Sequence, residues 1–267
     1  MNITIFDVSH GFCGYIVADN GNVILVDCGH DGDNFRPSTH LRNSGCRGIE
    51  SLIISNYDED HVSDLPNILN NFHVEVLYRN KSISTTQLEN IKRQTGPVSN
   101  AMRATLNLAD EYSNPVAAYP DYGDLKFETF QNNYPEFTDT NNLSLLTFVE
   151  YDGLGVVFTG DLESDGWDRI LENSRVQEKL RNVNIFVASH HGRANGYTRR
   201  VFDFCSPDIV VISDKQIVHE TQKNVYANHA NGVPWDGGPD KRYVLTTRND
   251  GHINIRKNLG SGYHISV

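Results

Sequence analysis

Long apolar runs are missing from this chain of 267 residues, and no stretch approaches the ~18 to 20 apolar residues of a membrane-spanning helix. The first residues, MNITI, also lack the basic segment and the small-residue cleavage site of a secretory signal peptide. Hydrophobic residues make up 38% and charged residues 21%, as in soluble globular proteins. We therefore expect a cytoplasmic protein without a membrane segment.

Cysteine is scarce, and dense runs of lysine or arginine are absent. The four cysteines form no Cys-x-x-Cys pair, so a reducing compartment would leave them as free thiols. The net charge is −11, whereas a protein that grips long nucleic acids by their phosphates usually carries a basic face. This charge argues against tight wrapping of duplex DNA, and part of the acidity is consistent with a cation site.

Short apolar segments alternate with turn-forming residues along the whole chain. Strands are predicted at 3–6, 15–18, 23–26, 51–55, 74–78, 125–130, 143–150, 155–158, 183–188 and 209–212. Helical spacing covers 62–71, 84–112 with a break at Gly96-Pro97, 167–180 and 196–204. A last hairpin is predicted from 243–247 and 253–255. This mixture predicts an α/β layered fold, two sheets with helices outside, in a single domain over 1–267.

Three of the predicted strands end in residue types that bind metals. The first strand is followed by NYDEDH from position 56, the second by TGD from position 159, and the third by SHHG from position 189. Each motif has an ordinary explanation when taken alone: a helix cap, a turn, or a pair of surface histidines. Together, the three strand ends provide the carboxylates and imidazoles of a metal site at one sheet edge.

Five segments, in chain order, resemble the metallo-β-lactamase fold superfamily, and within it the soluble hydrolase domain of competence DNA-uptake proteins of the ComEC type. They are IFDVSHGFCGYIVADNGNVILVDCG, ISNYDEDHVSDL, NNLSLLTFVEYDGLGVVFTGD, VASHHG and YVLTTRNDGHINI. The second is similar to the signature His-x-Asp-x-Asp-His in all but its first position. The resemblance implies a four-layer αββα sandwich, with hydrolysis by a metal-bound hydroxide at one edge.

The resemblance also implies a set of ligands. One metal position would have Asn56, Asp58 and Asp161, and the other Asp60, His61, His190 and Asp161. Asn56 stands where the signature has a histidine, and an amide oxygen is a weaker ligand. We favour His190 over His191 because it lies nearer the strand end. Oxygen donors suit Mn²⁺ or Mg²⁺ and imidazole suits Zn²⁺, so we expect one or two divalent ions, zinc or manganese before magnesium.

The candidate catalytic residues are Asp60, His191 and His219. Because His190 is favoured as the metal ligand, His191 is expected to contact the substrate or to support a ligand. His219 and Tyr226 follow the strand at 209–212, and either can donate a proton to a leaving group, although an ordinary structural role explains them as well. Asp27 is expected to brace the metal loop. Arg193 can meet a phosphate or lie on the surface.

Some polar residues carry less weight. Asn141, Asn142 and Ser144 can orient a substrate, although a turn explains them equally well. His10 is treated as an ordinary residue, because no motif surrounds it.

Three functions stay open on the sequence. The first is a metal-dependent phosphodiesterase or nuclease, whose substrate is a single-stranded nucleic acid or a small nucleotide in preference to duplex DNA because the chain is acidic. The second is hydrolysis of a lactone, thioester or other acyl compound, since one fold supports many reactions. The third is a non-catalytic binding protein with a partly decayed metal site, for which Asn56 is the supporting feature.

Overall fold

Two β-sheets organise the chain in the computed structural model, which describes residues 1–32, 34–215, 221–235 and 238–267. The strands of the first sheet are β1 (Asn2–Ile5), β2 (Gly14–Val17), β3 (Val23–Val26), β4 (Ile49–Ile53), β5 (Val74–Tyr78), β14 (Ile253–Lys257) and β15 (Tyr263–Ser266). Those of the second are β6 (Lys126–Gln131), β7 (Leu145–Tyr151), β8 (Leu154–Phe158), β9 (Ile185–Val187), β10 (Ile209–Ile212) and β13 (Val244–Thr246). The strand orders are β15-β14-β1-β2-β3-β4-β5 and β13-β10-β9-β8-β7-β6. A small ribbon pairs β11 (Val233–Pro234) with β12 (Lys241–Arg242).

Helices cover the outer faces of both sheets. Those whose apolar residues join the core outside the first sheet are α1 (Pro37–Asn43), α2 (Glu59–Val62), α3 (Leu65–Asn71), α4 (Thr85–Thr95) and α5 (Asn100–Glu111). Those that cover the second sheet are α6 (Ser164–Ile170), α7 (Ser174–Leu180) and α8 (Lys223–Ala227). A short helix, α9 (Thr247–Asp250), follows β13.

The side chains of β3 show how the layers form. Ile24 and Val26 face the core between the two sheets, whereas Val23 and Leu25 face the helices, because successive strand residues point to opposite faces. In the second sheet Val211 lies in the same inner core and Val210 lies under the outer helices. Three apolar cores therefore separate four layers, and the predicted αββα sandwich is confirmed.

The predicted motifs come together through the parallel strands of each sheet. In the first sheet β4 runs parallel to β3 and β5, and in the second β9 runs parallel to β8 and β10. The segments that follow β3, β4, β8, β9 and β10 all contribute to one site, since the carboxyl ends of parallel strands share one edge of a sheet.

Several sequence-based predictions differ from the structure. The predicted last hairpin is wrong: β13 pairs with β10 in the second sheet, and β14 pairs with β1 and β15 in the first. The single helix predicted at 167–180 is two helices, since the side chain of Asn173 caps α7 by accepting from the backbone N–H of Arg175.

Two further helix predictions have mixed outcomes. The segment 196–204 contains 3₁₀ turns, at Ala194–Gly196 and Arg199–Asp203, in place of an α-helix. The break at Gly96-Pro97 is confirmed, because α4 ends at Thr95 and α5 begins at Asn100. No helix among the described residues combines the length and the apolarity needed to cross a membrane.

Candidate metal centre

Four side chains from three strand ends meet at one point. They are Asp60, His61, Asp161 and His191, and each offers one ligand atom within 4.8 Å of the others. His61 Nε2 lies 3.1 Å from Asp161 Oδ1, and His191 Nε2 lies 3.3 Å from Asp60 Oδ2. Two carboxylates and two imidazoles thus surround a common centre.

Asp60 and His61 are presented by α2, which begins two residues after Tyr57. Asp58 occupies the position before the helix, but its side chain makes no capping hydrogen bond. The helix-cap explanation of the acidic run therefore does not account for this carboxylate. Instead, α2 turns His61 inwards, where it is 1% exposed.

A buried carboxylate orients His61 from behind. His61 Nδ1 lies 2.8 Å from Asp27 Oδ2, and Asp27 also accepts hydrogen bonds from the backbone N–H and the hydroxyl of Ser55. The bracing predicted for Asp27 is present in this geometry. Because Nδ1 donates to Asp27, the Nε2 atom of His61 is free to act as an acceptor towards the centre.

Asp161 is held by the turn between β8 and α6. Its backbone N–H donates to Ser144 Oγ at 3.0 Å, and the carbonyl of Gly160 accepts from the backbone N–H of His190 at 3.1 Å. Asn142 Oδ1 accepts from the backbone N–H groups of Glu163 and Gly166. Asn142 and Ser144 therefore support this turn, and their side chains are engaged in hydrogen bonds within the protein.

The late histidine of the cluster is His191, whereas the sequence favours His190. Three successive residues adopt left-handed backbone conformations, with φ of 50° at His190, 54° at His191 and 72° at Gly192. This turn directs His191 into the cluster, where its Nδ1 atom donates to the carbonyl of Ser213 at 2.9 Å. The His190 side chain instead lies 3.4 Å from Glu163 Oε1. Left-handed non-glycine residues are uncommon and concentrate at functional sites.

Charge within the cluster is strongly coupled. Burial opposes ionisation, but the attraction of the neighbouring histidines lowers the pKa of Asp60 and of Asp161 below their usual range. Burial likewise disfavours the charged histidines, but the nearby carboxylates outweigh it and raise the pKa of His61 and of His191. The two carboxylates thus stay ionised, and the positive charge that balances them is either protons on the histidines or a bound cation.

The donor atoms of this cluster fit a divalent cation. The Nε2 atoms of His61 and His191 are buried and have no hydrogen-bond partner within the part of the chain that the structure describes. Both point at carboxylates that themselves carry negative charge. Buried polar atoms without partners are rare in folded proteins, and two of them aimed at one point are accounted for by an ion between them.

Asn56 and Asp58 are not brought into this cluster. Asn56 donates through its amide nitrogen to Asn141 Oδ1 and Ser144 Oγ, and Asp58 pairs with Lys92. Both were predicted as ligands of a first metal position. The structure engages their polar atoms with Asn141, Ser144 and Lys92.

Two further residues lie beside the centre, and of these only Arg193, which directly follows SHHG, was singled out from the sequence. His10, treated as ordinary in the sequence, places its Nε2 atom 3.2 Å from Asp60 Oδ2. Arg193 places Nη2 3.0 Å from His10 Nε2 and Nη1 3.3 Å from His190 Nε2. His10 lies in the loop between β1 and β2, about fifty positions from the acidic motif, so only the fold brings it to the site.

The proposed proton donors have different outcomes. His219 lies outside the described residues. Tyr226 belongs to the core under the second sheet, where it is 1% exposed and packs against Phe186 and Phe202. Burial raises the pKa of its hydroxyl. Tyr226 therefore does not reach the metal centre.

Replacing Asp27 by asparagine tests the bracing carboxylate. Asparagine tolerates the left-handed conformation of this residue (φ 58°) but carries no charge. Because His61 then loses its charged partner, we expect the affinity for a divalent ion to fall by about 10- to 100-fold. Isothermal titration with Zn²⁺ measures this, with the exposed Asp203→Asn as the matched control. An unchanged affinity in the Asp27 variant would show that this carboxylate does not act on the centre.

The comparisons with known proteins agree with this fold. A family model described as the metallo-beta-lactamase superfamily matches residues 7–212. ComE operon protein 3 of Bacillus subtilis (strain 168) is 21% identical over 173 residues, which are 65% of this chain and 21% of that protein. The chain therefore matches only part of a much longer relative. The metallo-beta-lactamase fold protein YhfI from Bacillus subtilis superposes with a TM-score of 0.51 at 10% identity, over 95% of this chain and 99% of that one.

Fold and site together define a class of protein: a four-layer αββα sandwich with a His/Asp cluster suited to metal ions at the carboxyl ends of its strands. The family match extends over more than half of the chain. The chain belongs to the metallo-beta-lactamase superfamily, whose members are typically metal-dependent hydrolases. The family resemblance predicted from the sequence is confirmed.

Proposed function

We propose that this protein is a metal-dependent phosphodiesterase. The observation that carries the proposal is the position of Arg193, an arginine held beside a cluster suited to a divalent ion. Among the residues that the structure describes, Arg193 pairs with two imidazoles and with no carboxylate. Its positive charge is thus available to an anionic group of a substrate.

The partners of Arg193 keep this charge intact. Burial, with a further contribution from His191, lowers the pKa of His10 to about 4, and burial also lowers the pKa of His190. Both imidazoles are therefore neutral near neutral pH and can accept hydrogen bonds from the guanidinium. A planar guanidinium matches the oxygens of a phosphate, whereas a neutral lactone or thioester gains little from a fixed cation.

Asp60, His61, Asp161 and His191 would hold the ion. Their mixed nitrogen and oxygen donors suit Zn²⁺ or Mn²⁺, and the two imidazoles make Mg²⁺ a poorer fit. A divalent ion supplies Lewis acidity, lowers the pKa of water from 15.7 to about 7, and so provides a nucleophile at neutral pH.

The chain's own residues divide the remaining tasks. The Asp60 side chain is 23% exposed, whereas those of His61, Asp161 and His191 are at most 4% exposed. Asp60 is therefore the ligand that an attacking water reaches, and we assign it to orient that water by accepting a hydrogen bond from it. Arg193 orients the phosphate. His219 stays our candidate proton donor to the leaving group on the sequence alone.

The net charge of −11 favours a small substrate. A long duplex would place many phosphates against an acidic surface, whereas a nucleotide or a short single strand engages the site alone. We therefore propose a single-stranded nucleic acid or a small nucleotide as the substrate class.

The test is a set of hydrolysis assays with added Zn²⁺ or Mn²⁺ on bis(p-nitrophenyl) phosphate, a short single-stranded DNA and a lactone. Arg193→Met is expected to lower kcat/KM for the phosphodiesters by about 10²- to 10³-fold, the usual effect of removing one donor to a charged transition state. Ion binding should be unchanged. The matched control is Arg200→Met, because Arg200 is exposed and pairs with Asp168.

Three outcomes would contradict the proposal or the argument that carries it. Turnover of the lactone alone would identify an acyl hydrolase. A wild-type protein that binds its ion and hydrolyses none of the three compounds would support the non-catalytic binding protein. Equal losses in Arg193→Met and Arg200→Met would remove the argument from Arg193.

A further inference from the structure

The position that the signature assigns to a first metal ion is built differently in this chain. Asn56 is fully buried, and its Oδ1 atom accepts from the backbone N–H of Asp58 at 2.7 Å. Its amide nitrogen donates to Asn141 Oδ1 and Ser144 Oγ, each at 3.2 Å. These contacts fix the orientation of the amide, since acceptors lie on one side and a donor on the other. Oδ1, the atom of Asn56 that can bind a metal, therefore already accepts a hydrogen bond.

Asp58 is also engaged. Its Oδ1 atom accepts from the hydroxyl of Thr140 at 2.8 Å and forms an ion pair with Lys92 Nζ. The side chain of Lys92 is 19% exposed and that of Asp58 is 33% exposed, so the pair is partly shielded from water. Lys92 lies on α4, and its ammonium group neutralises the carboxylate that a metal ion would need.

We propose that the Lys92 ammonium takes the place of the first metal ion, so that the centre holds one divalent ion and a lysine supplies the second positive charge. Asn56, which has no imidazole to offer, and Asp58, already paired, do not fit a second ion, whereas the four-residue cluster fits one. This inference rests on the proposed function for the presence of the one ion. The inference goes beyond the proposed function because it states how many ions bind and which residue replaces the first metal ion.

The substitution of an ammonium for a metal has a chemical consequence. The Lys92 ammonium neutralises Asp58 but provides no Lewis acidity. Activation of water then falls to the one ion held by Asp60, His61, Asp161 and His191. Lys92 is accordingly a positioning residue, which acts through Asp58 at the start of α2.

Metal stoichiometry tests the inference without an activity assay. The purified protein, loaded with Mn²⁺ and freed of excess ion, is measured by inductively coupled plasma mass spectrometry and by electron paramagnetic resonance. We expect one ion per chain and the six-line spectrum of an isolated Mn²⁺. The double variant Asn56→His, Lys92→Met should load two ions and show a spin-coupled spectrum. The control is Arg93→Met, the exposed neighbour of Lys92 that pairs with Glu89, and it should keep one ion.

Each outcome of these measurements supports or overturns the inference that Lys92 replaces the first metal ion. Two spin-coupled ions in the wild type would overturn the inference and leave the proposed function intact. No ion in the wild type would overturn both. A folded double variant that still holds one ion would show that Lys92 does not exclude the second. If the double variant fails to fold by circular dichroism, Lys92→Met is measured alone at millimolar Mn²⁺, where it should load a second ion that the wild type does not; failure to do so would overturn the inference.

Discussion

Asp161→Asn is expected to abolish ion binding and hydrolysis together. Asp161 Oδ1 lies 3.1 Å from His61 Nε2 and 3.6 Å from His191 Nε2, so this carboxylate contacts both imidazoles of the cluster. An amide in its place provides no negative charge for the ion. Since a bound ion stabilises the transition state by several kcal/mol, the rate of hydrolysis should fall by about 10³-fold. Titration calorimetry and the phosphodiester assay measure the two losses.

Two further variants make this result specific. Asp165→Asn changes an exposed aspartate in the first turn of α6 and should behave as the wild type. Asp58→Asn should keep its ion, because the Asp58 carboxylate pairs with Lys92 and Thr140 outside the cluster. An Asp161 variant with normal ion content and normal turnover would refute the assignment of the centre.

Gly29→Ala is expected to damage the site through the backbone. A Cβ atom at Gly29 would lie 2.1 Å from the carbonyl oxygen of Asp60 and 3.0 Å from that of Phe12. Neither backbone atom can move aside without shifting α2, which carries Asp60, or the loop between β1 and β2, which carries Phe12. We expect a loss of stability of roughly 1–3 kcal/mol from the overpacking. A misplacement of about 1 Å in the cluster should lower turnover by about 10²-fold.

Thermal unfolding and ion titration measure these two effects separately. The matched control is Gly262→Ala, because a Cβ atom there meets nothing within 4 Å in the described part of the structure. The control should be close to wild type in both measurements. If Gly29→Ala binds the ion with normal affinity, the close approach of Gly29 to Asp60 is not needed to shape the centre.

Much of the fold was predictable because its determinants are local. The apolar segments that end in NYDEDH, TGD and SHHG became β4, β8 and β9, and the break at Gly96-Pro97 separates α4 from α5. The last hairpin was predicted wrongly because two neighbouring strand segments were assumed to pair with each other. In the structure each pairs with a strand of a different sheet, β10 for one and β1 for the other.

The sequence by itself determined the kind of site: carboxylates and imidazoles at three strand ends, in a superfamily that the comparisons confirm. Only the tertiary structure decided which of these residues meet. His191 enters the cluster in place of His190 because three left-handed residues turn the backbone. His10 and Lys92 arrive from a distant loop and a distant helix, and their contacts with Asp60 and Asp58 leave no periodicity or motif in the chain. Such contacts depend on packing between layers, which local sequence patterns do not encode.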